Sequence, residues 1–356
     1  RRASPWGTHS AGAAWGRGVE LALKSHPIYA AFLTSYQARL QDCSTRSSKG
    51  RGDCCVRRPM PMEDDEHPIW TALLKTLLML AILSLASGYL GWLHPVGDSL
   101  AIGRPYAAAA VAFLALLSIR AGLLMAAFGS LLLALIVGIQ VAPALYWPGP
   151  PGSIALYQKN MLYKNGDLAG LEADIRQVAP LALTLQEVSD QNTALLTALA
   201  DVLPHQLHCT LGRRGGTAVV TSLPPVPGTE VCLPGMAALQ VTWRDRQIWL
   251  VSIHLNWPWP YDQAEQVAEL RAALEKLDGP VLMAGDFNMV RWAHSVTAMA
   301  RSARTLAAGP SRGTFVGLGP ALTLPIDHAF APNGGRIRMR AALGSDHLGF
   351  LAELEP

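Results

Sequence analysis

The stretch from Trp70 to Trp147 limits this chain more than any other feature, because it is almost continuously apolar. Trp70 to Leu93 carries one charge, Lys75, near its start. A second run from Tyr106 to Ile119 ends at Arg120, and residues from Leu100 or Ala101 extend it. A third, from Leu123 to Trp147, includes LLLALIVGIQVAPALYW. About 20 apolar residues cross the hydrocarbon core of a bilayer. The first and third runs reach that length, and the second reaches it with its extension. The runs are apolar on all sides rather than amphipathic, which suits a lipid-facing helix better than a surface helix of a soluble protein. Three transmembrane helices are therefore expected over residues 69–147. The composition agrees, with 50% hydrophobic and only 15% charged residues.

Three spans place the chain ends on opposite sides of the membrane. Arg57, Arg58, Lys75 and Arg120 share one side, and the short first loop offers only Arg104 to the other. Positive residues stay in the cytoplasm, so the expected location is a multi-pass cell-membrane protein with its C-terminal domain extracytoplasmic. The first span then serves as the export signal. The Pro-Gly residues of 148–152 read as a linker.

Residues 1–59 hold ten Lys/Arg against three Asp/Glu, a net of +7, and the first methionine is Met60. Little apolar surface is available there to offset chain entropy, so a disordered basic tail is expected over residues 1–68. An upstream extension ahead of a true start at Met60 or Met62 accounts for residues 1–59. The overall charge of +3 gives no sign of a protein that coats nucleic acid. The five cysteines show no zinc spacing. If their domain lies outside the cytosol, Cys209 and Cys232 can form a disulfide, and the alternative reading is two unconnected thiols.

From about Ser153 the pattern becomes alternating strands and helices. Strands are expected at IALYQKN, LALTLQEV, 205–211, 216–222, 237–243, RQIWLVSIHLN, VLMAGDFN, LPIDHAFA and GSDHLGFLAEL. Helices are expected over 166–179, 189–203 and 262–277. Glu187, His254, Asp286, Asn288, Asp327 and Asp346 each stand at or beside a strand end after apolar residues. A charge at the end of a buried strand is unfavourable unless it is paired or binds a metal. Carboxylates with amide oxygens suit Mg²⁺ or Mn²⁺, and histidines beside carboxylates suit proton transfer.

The ordered set Asn160, Gln186-Glu187, His254-Leu255-Asn256, Gly285-Asp286-Phe287-Asn288, Ile326-Asp327-His328 and Ser345-Asp346-His347 resembles the endonuclease/exonuclease/phosphatase superfamily. The resemblance covers about residues 153–356. It implies a four-layer α/β sandwich, two mixed β-sheets face to face with helices outside. It implies Glu187 as a metal ligand, with Asn160 and Asp346 completing or positioning the shell. Asp286 and Asn288 orient the attacking water and the phosphate. His347, held by Asp327, acts as general base or transition-state stabiliser. His254 faces the phosphate as acid or hydrogen-bond donor, supported by Asn256, and His328 contacts phosphate.

Trp257 and its neighbours through Tyr261 read as a stacking surface for a base or sugar, a contact for a prenyl chain or membrane, or a packed loop. Trp292 carries the same alternatives. Arg213 and Arg214 read as phosphate contacts or as a solvated hairpin tip.

The expected function is metal-dependent hydrolysis of a phosphate ester or pyrophosphate at the outer face of the cytoplasmic membrane. The anchor favours a lipid-linked phosphate. Extracytoplasmic nucleic acid is the alternative, although a nuclease needs a basic groove and this domain is not rich in Lys/Arg. A non-catalytic receptor or scaffold on the same fold predicts a missing ligand position, and none of the principal motifs is missing.

Overall fold

The computed structural model describes residues 68–211, 214–319 and 322–356. The expected basic tail and start site lie outside the described residues. The apolar section folds into helices α1 (Pro68–Ser87), α2 (Val96–Ala101), α3 (Arg104–Arg120) and α4 (Leu124–Tyr146). Two of them, over Ile69–Ser87 and Leu124–Tyr146, are long and apolar enough to cross a membrane, against the three expected. The residues expected to lengthen the middle run instead form the separate helix α2, and the chain turns at Gly103. What remains, α3, has 17 residues between Arg104 and Arg120, about 25 Å at 1.5 Å per residue. That is the low end of the spanning range.

Helices α1, α3 and α4 share one apolar cluster built from Leu78, Leu85, Val111, Val137 and Val141. Their outer faces leave Leu83, Phe113, Leu132 and Ile139 exposed. A large outward apolar surface around a small internal cluster is the inverse of a soluble bundle.

Among the described residues, the rest of the chain forms twelve strands. In chain order they are β1 (Ile154–Asn160), β2 (Ala182–Val188), β3 (His205–Cys209), β4 (Gly216–Thr221), β5 (Val231–Leu233) and β6 (Met236–Trp243). Then follow β7 (Arg246–His254), β8 (Val281–Asp286), β9 (Leu306–Gly309), β10 (Asp327–Ala331), β11 (Gly335–Met339) and β12 (Phe350–Leu354). Four helices flank them: α5 (Leu168–Val178), α6 (Ala194–Ala198), α7 (Gln263–Leu274) and α8 (His294–Ser302).

The strands run in the order β3-β4-β2-β1-β12-β11-β9-β10-β8-β7-β6-β5 as one twelve-stranded sheet. This corrects the expectation of two separate sheets. Strand β9 is the join, pairing parallel with β11 on one side and antiparallel with β10 on the other. The two halves of the sheet nevertheless share a core, in which Ile154, Leu156, Val219 and Phe350 of one half meet Ala237, Leu250, Leu282 and Ala329 of the other. Helices α7 and α8 cover one outer face through Val267, Leu270, Val296 and Met299. Helices α5 and α6 cover the other through Leu171, Ile175, Leu195 and Leu196.

Local chemistry sets the helix ends. The Asp167 side chain accepts the Gly170 N–H at 3.0 Å to cap α5. Ala179 closes that helix in the left-handed region. The expected helix over 189–203 reduces to α6, five residues among turns. Cys209 and Cys232 are joined in a disulfide with a Cα–Cα distance of 5.4 Å. They lie on β3 and β5, the two outermost strands of the order, so the bond ties the free edges of the sheet together.

Candidate active site

Strand ends from both halves of the sheet deliver their polar residues to one cleft of about 970 Å³, lined by Glu187, His254, Asn256, Asp286, Asn288, Asp346 and His347, among others. Register explains the convergence. β1 pairs in parallel with β2, aligning Asn160 with Gln186, and β7 pairs in parallel with β8, aligning His254 with Asp286. Strand β10 pairs with β8 so that Asp327 lies opposite Asp286.

The centre of the site is one buried oxygen, Asp286 Oδ2. Asn160 Nδ2 donates to it at 3.0 Å. His347 Nε2 stands 3.7 Å away and His254 Nε2 3.8 Å away. The other oxygen, Oδ1, accepts the Asn288 N–H at 2.8 Å. Asn288 takes a left-handed conformation, φ 49°, and its side chain donates to the Leu255 carbonyl at 2.7 Å. Asn288 thus fixes the Asp286 rotamer and ties β8 to the end of β7.

Glu187 reaches the cleft through a β-bulge. The pairing of β2 with β4 shifts between Gln186 and Val188, and Glu187 sits at φ 55°. A bulge re-aims a side chain that regular alternation would send elsewhere, and such backbone strain is concentrated at functional sites. Gly215 makes room, because a Cβ there would lie 2.8 Å from the Glu187 carbonyl carbon. Glu187 Oε2 accepts the Tyr163 N–H at 3.0 Å, and Oε1 stands 3.5 Å from Asn160 Nδ2.

Two buried carboxylates, Glu187 and Asp286, therefore flank a single amide. Such proximity is unfavourable for two anions unless a cation joins them. Carboxylate oxygens keep lone pairs beyond the hydrogen bonds they accept, and such hard donors suit a divalent ion of the Mg²⁺ or Mn²⁺ kind. The Asn160 Oδ1 already accepts the Leu162 N–H at 3.0 Å, so Asn160 spaces the carboxylates and offers its N–H side to them. Asp346 lines the same cleft, in the turn before β12 rather than on the strand expected for it.

Asp286, Asp327 and His347 also offer ligand atoms within 4.8 Å of one another. Asp327 is already engaged, however. Its Oδ1 accepts from Gln158 Nε2 at 2.9 Å and its Oδ2 meets His347 Nδ1 at 2.8 Å. This pair orients the imidazole so that Nε2 faces Asp286 and the cleft.

The charges follow from these contacts. Burial alone would lower the His347 pKa, but the Asp327 and Asp286 carboxylates raise it to about 9. Burial alone would raise Asp327, but the charge and hydrogen bond of His347 hold it below the ordinary carboxylate range. Burial pushes Asp286 up to about 7, against the pull of His347. Burial, with the neighbouring His347 charge, pushes His254 down to about 4. At neutral pH a cationic His347 and a neutral His254 both face Asp286 Oδ2.

His328 stands apart from the cleft. It is buried, its Nε2 bonds the Met289 carbonyl at 2.9 Å, and its ring lies against Phe287. Strand alternation places it on the opposite face from Asp327, so the phosphate contact expected of it has no geometry here. Asn256 lies at the cleft rim with its backbone held by Gln266 and Gln263. Trp257 packs edge-on against Phe315, which lies 5.1 Å from the His347 ring. Arg214 lines the cleft and is exposed, and Arg213 lies outside the described residues.

Lys159 has a part that its sequence context did not show. It is fully buried on β1, and its Nζ donates to the carbonyls of Ala341, Ala342 and His347 at 3.3, 2.5 and 2.6 Å. The ammonium holds the loop that carries Asp346 and His347. Gln158 bridges Asp327 and Gln186, whose Nε2 continues to Ser252 at 3.0 Å. This buried amide network connects the two halves of the sheet beneath the site.

The sequence profile of the Endonuclease/Exonuclease/phosphatase family matches residues 158–347. No curated protein matches the chain. Among solved structures, it is similar to an endonuclease/exonuclease/phosphatase from Beutenbergia cavernae DSM 12333. That match has 20% identity and a TM-score of 0.46, over 56% of this chain and 70% of the other. A family protein from Leptotrichia buccalis C-1013-b is similar at 14% identity and TM-score 0.46, over 57% of this chain and 100% of the other. Sphingomyelinase C from Streptomyces griseocarneus is similar at 16% identity and TM-score 0.43, over 57% and 99%.

Proposed function

This chain belongs to the endonuclease/exonuclease/phosphatase family, and from that premise we propose that it is a metal-dependent phosphoesterase. The observation that carries the reading is the convergence of Asn160, His254 and His347 on the buried Asp286 carboxylate, with Glu187 beside it. Glu187 and Asp286 would hold a divalent Mg²⁺ or Mn²⁺ ion, with Asp346 at the cleft wall to complete or position the shell. Bound there, the ion neutralises charge on a phosphate and acidifies a water.

The protein groups supply the rest. A phosphate entering the cleft meets the cationic imidazole of His347, held in place by Asp327, which stabilises charge as it grows on the phosphoryl oxygens. Neutral His254 donates a hydrogen bond from the opposite side. Asp286 orients the attacking water, and Asn288 keeps that carboxylate in position. Asn256, Trp257 and Arg214 border the entrance, where they contact the rest of the substrate.

The proposed substrate is a lipid-linked phosphate ester or pyrophosphate at the outer face of the cytoplasmic membrane. The apolar helices support the membrane, and the Cys209–Cys232 disulfide supports an oxidising compartment. Helix α3, packed against both α1 and α4, supports three passes and a C-terminal domain on the far side.

The test is hydrolysis of a soluble activated phosphodiester by the full chain in detergent, titrated with Mg²⁺ and Mn²⁺. Glu187→Gln and Asp286→Asn are expected to lower kcat/KM at least a hundredfold and to weaken metal dependence. Wild-type activity that survives complete chelation would overturn the metal role.

A further inference from the structure

The loop between the first two apolar helices is built into the catalytic domain. Asp98 is buried and accepts two backbone N–H groups at the start of α8, from His294 at 2.7 Å and Ser295 at 2.8 Å. The Arg104 guanidinium donates to the Trp292 carbonyl at 3.1 Å and to the Gly88 carbonyl at 2.5 Å. Trp292 Nε1 returns a bond to the Ala101 carbonyl at 2.8 Å. Ala101 is fully buried in the core formed by α7 and α8. Gly91 allows the close approach, since a Cβ there would fall 2.1 Å from Asp98 Oδ1. A charged cap, a buried guanidinium and an indole bond together make a fixed joint.

This joint has a consequence for the cleft. Ser99 and Ile102 of the loop line the same cavity as His254, Asp286 and His347. Ser99 Oγ also donates to the Trp259 carbonyl at 3.3 Å, which joins the loop to the aromatic segment on the opposite lip. At this mouth Trp259 is 53% and Tyr261 60% exposed, and in the loop just past α1 Trp92 and Leu93 are each 67% exposed. Exposed aromatics where apolar helices end are the pattern of a membrane–water interface. Trp92 and Leu93 follow the last residue of α1, Ser87, within one short turn of chain, so a bilayer crossed by α1 is the surface that would cover them.

We propose that the loop over residues 88–103 and the Trp257–Tyr261 segment form a subsite for the hydrocarbon chain of a phosphate-bearing membrane lipid. The phosphate reaches Asp286 and His347 while the chain passes between Ile102 and Trp259 toward the bilayer. This deepens the phosphoesterase reading and rests on it. The loop of the anchor is then a wall of the substrate site and determines specificity.

Two measurements on the full chain in phosphatidylcholine vesicles test it. The first compares wild type with Trp259→Ala and Tyr261→Ser on a phosphatidic acid in the vesicles and on a soluble phosphomonoester without acyl chains. We expect kcat/KM for the lipid to fall at least tenfold further than for the soluble ester. Equal losses on both, or none on the lipid, would overturn the subsite. Wild-type turnover of the soluble ester alone would overturn the subsite and leave the phosphoesterase reading standing, and turnover of neither would remove both. The second is independent of turnover. A phosphatidic acid with a diazirine on its acyl chain, photolysed with His347→Ala protein, should label peptides covering 99–104 and 257–261. Labelling confined to α1, α3 and α4 would contradict the proposal.

Discussion

His347 carries the site's charge, and its environment makes a pH-dependent statement. Its pKa is raised to about 9 in the folded protein against an ordinary value of 6.5. A raised basic group binds its proton more tightly when folded, so its stabilisation is full below about pH 6.5 and is lost as pH rises through 9. Between pH 6.5 and 8, chelated Asp286→Asn should lose more stability in urea unfolding than Asp286→Asn combined with His347→Gln, the carboxyl raised to about 7 being absent from both. Above pH 8, Lys159, lowered to about 8 chiefly by burial, begins to act in the opposite sense. A matching pH profile in the two proteins would refute the charged His347–Asp327 pair. Lys159→Met leaves the Ala341, Ala342 and His347 carbonyls without their donor. It should cost about 2–4 kcal/mol and lower kcat more than it raises KM, because it frees the loop bearing His347. The strand-end positions of Glu187, His254, Asp286 and Asp327 were legible, since a polar group after a buried apolar run has to be explained. Lys159 was not, because it lies within the polar run Gln158-Lys159-Asn160 and its acceptors are more than 180 residues away. His328 illustrates the opposite error. Adjacency to Asp327 in sequence places it on the other face of β10.

The element that most departs from expectation is the second apolar run. Its hydrophobicity was legible, but the break at Gly103 was not. The break depends on Asp98 and Arg104 finding partners on α8 and Trp292, which local sequence does not reveal. Asp98 acts as an N-terminal cap supplied from a distant segment. Asp98→Ala should therefore destabilise α8 by about 1–2 kcal/mol, read as faster amide exchange across His294–Ser302. Exchange unchanged there would show that the cap contributes nothing. Strand β9 was equally hidden, being four residues long with no alternation, yet it joins the two halves of the sheet. The long apolar strands β7 and β8 were read almost to their ends because both of their faces are buried.

For the whole molecule, an open twelve-stranded order leaves β3 and β5 as edges, and exposed edges invite pairing with other chains. The Cys209–Cys232 bond ties these edges together across a sequence separation of 23 residues. Cys209→Ser should lower stability by about 2–4 kcal/mol and increase aggregation on heating, whereas unchanged thermal behaviour would show the bond to be dispensable. The sequence offered the bridge only as one of two alternatives, because pairing depends on which strands become edges. Metal-dependent hydrolysis of a lipid-linked phosphate is the reaction proposed for this cleft. Its most direct test is a substrate panel on the full chain reconstituted in vesicles with Mg²⁺ or Mn²⁺, with His347→Ala as control. The panel holds a prenyl pyrophosphate, a phospholipid, an inositol phosphate and plasmid DNA. Turnover of a lipid phosphate, lost in His347→Ala, is the expected result. Hydrolysis of plasmid DNA alone, or of nothing while the folded protein binds the metal, would contradict it.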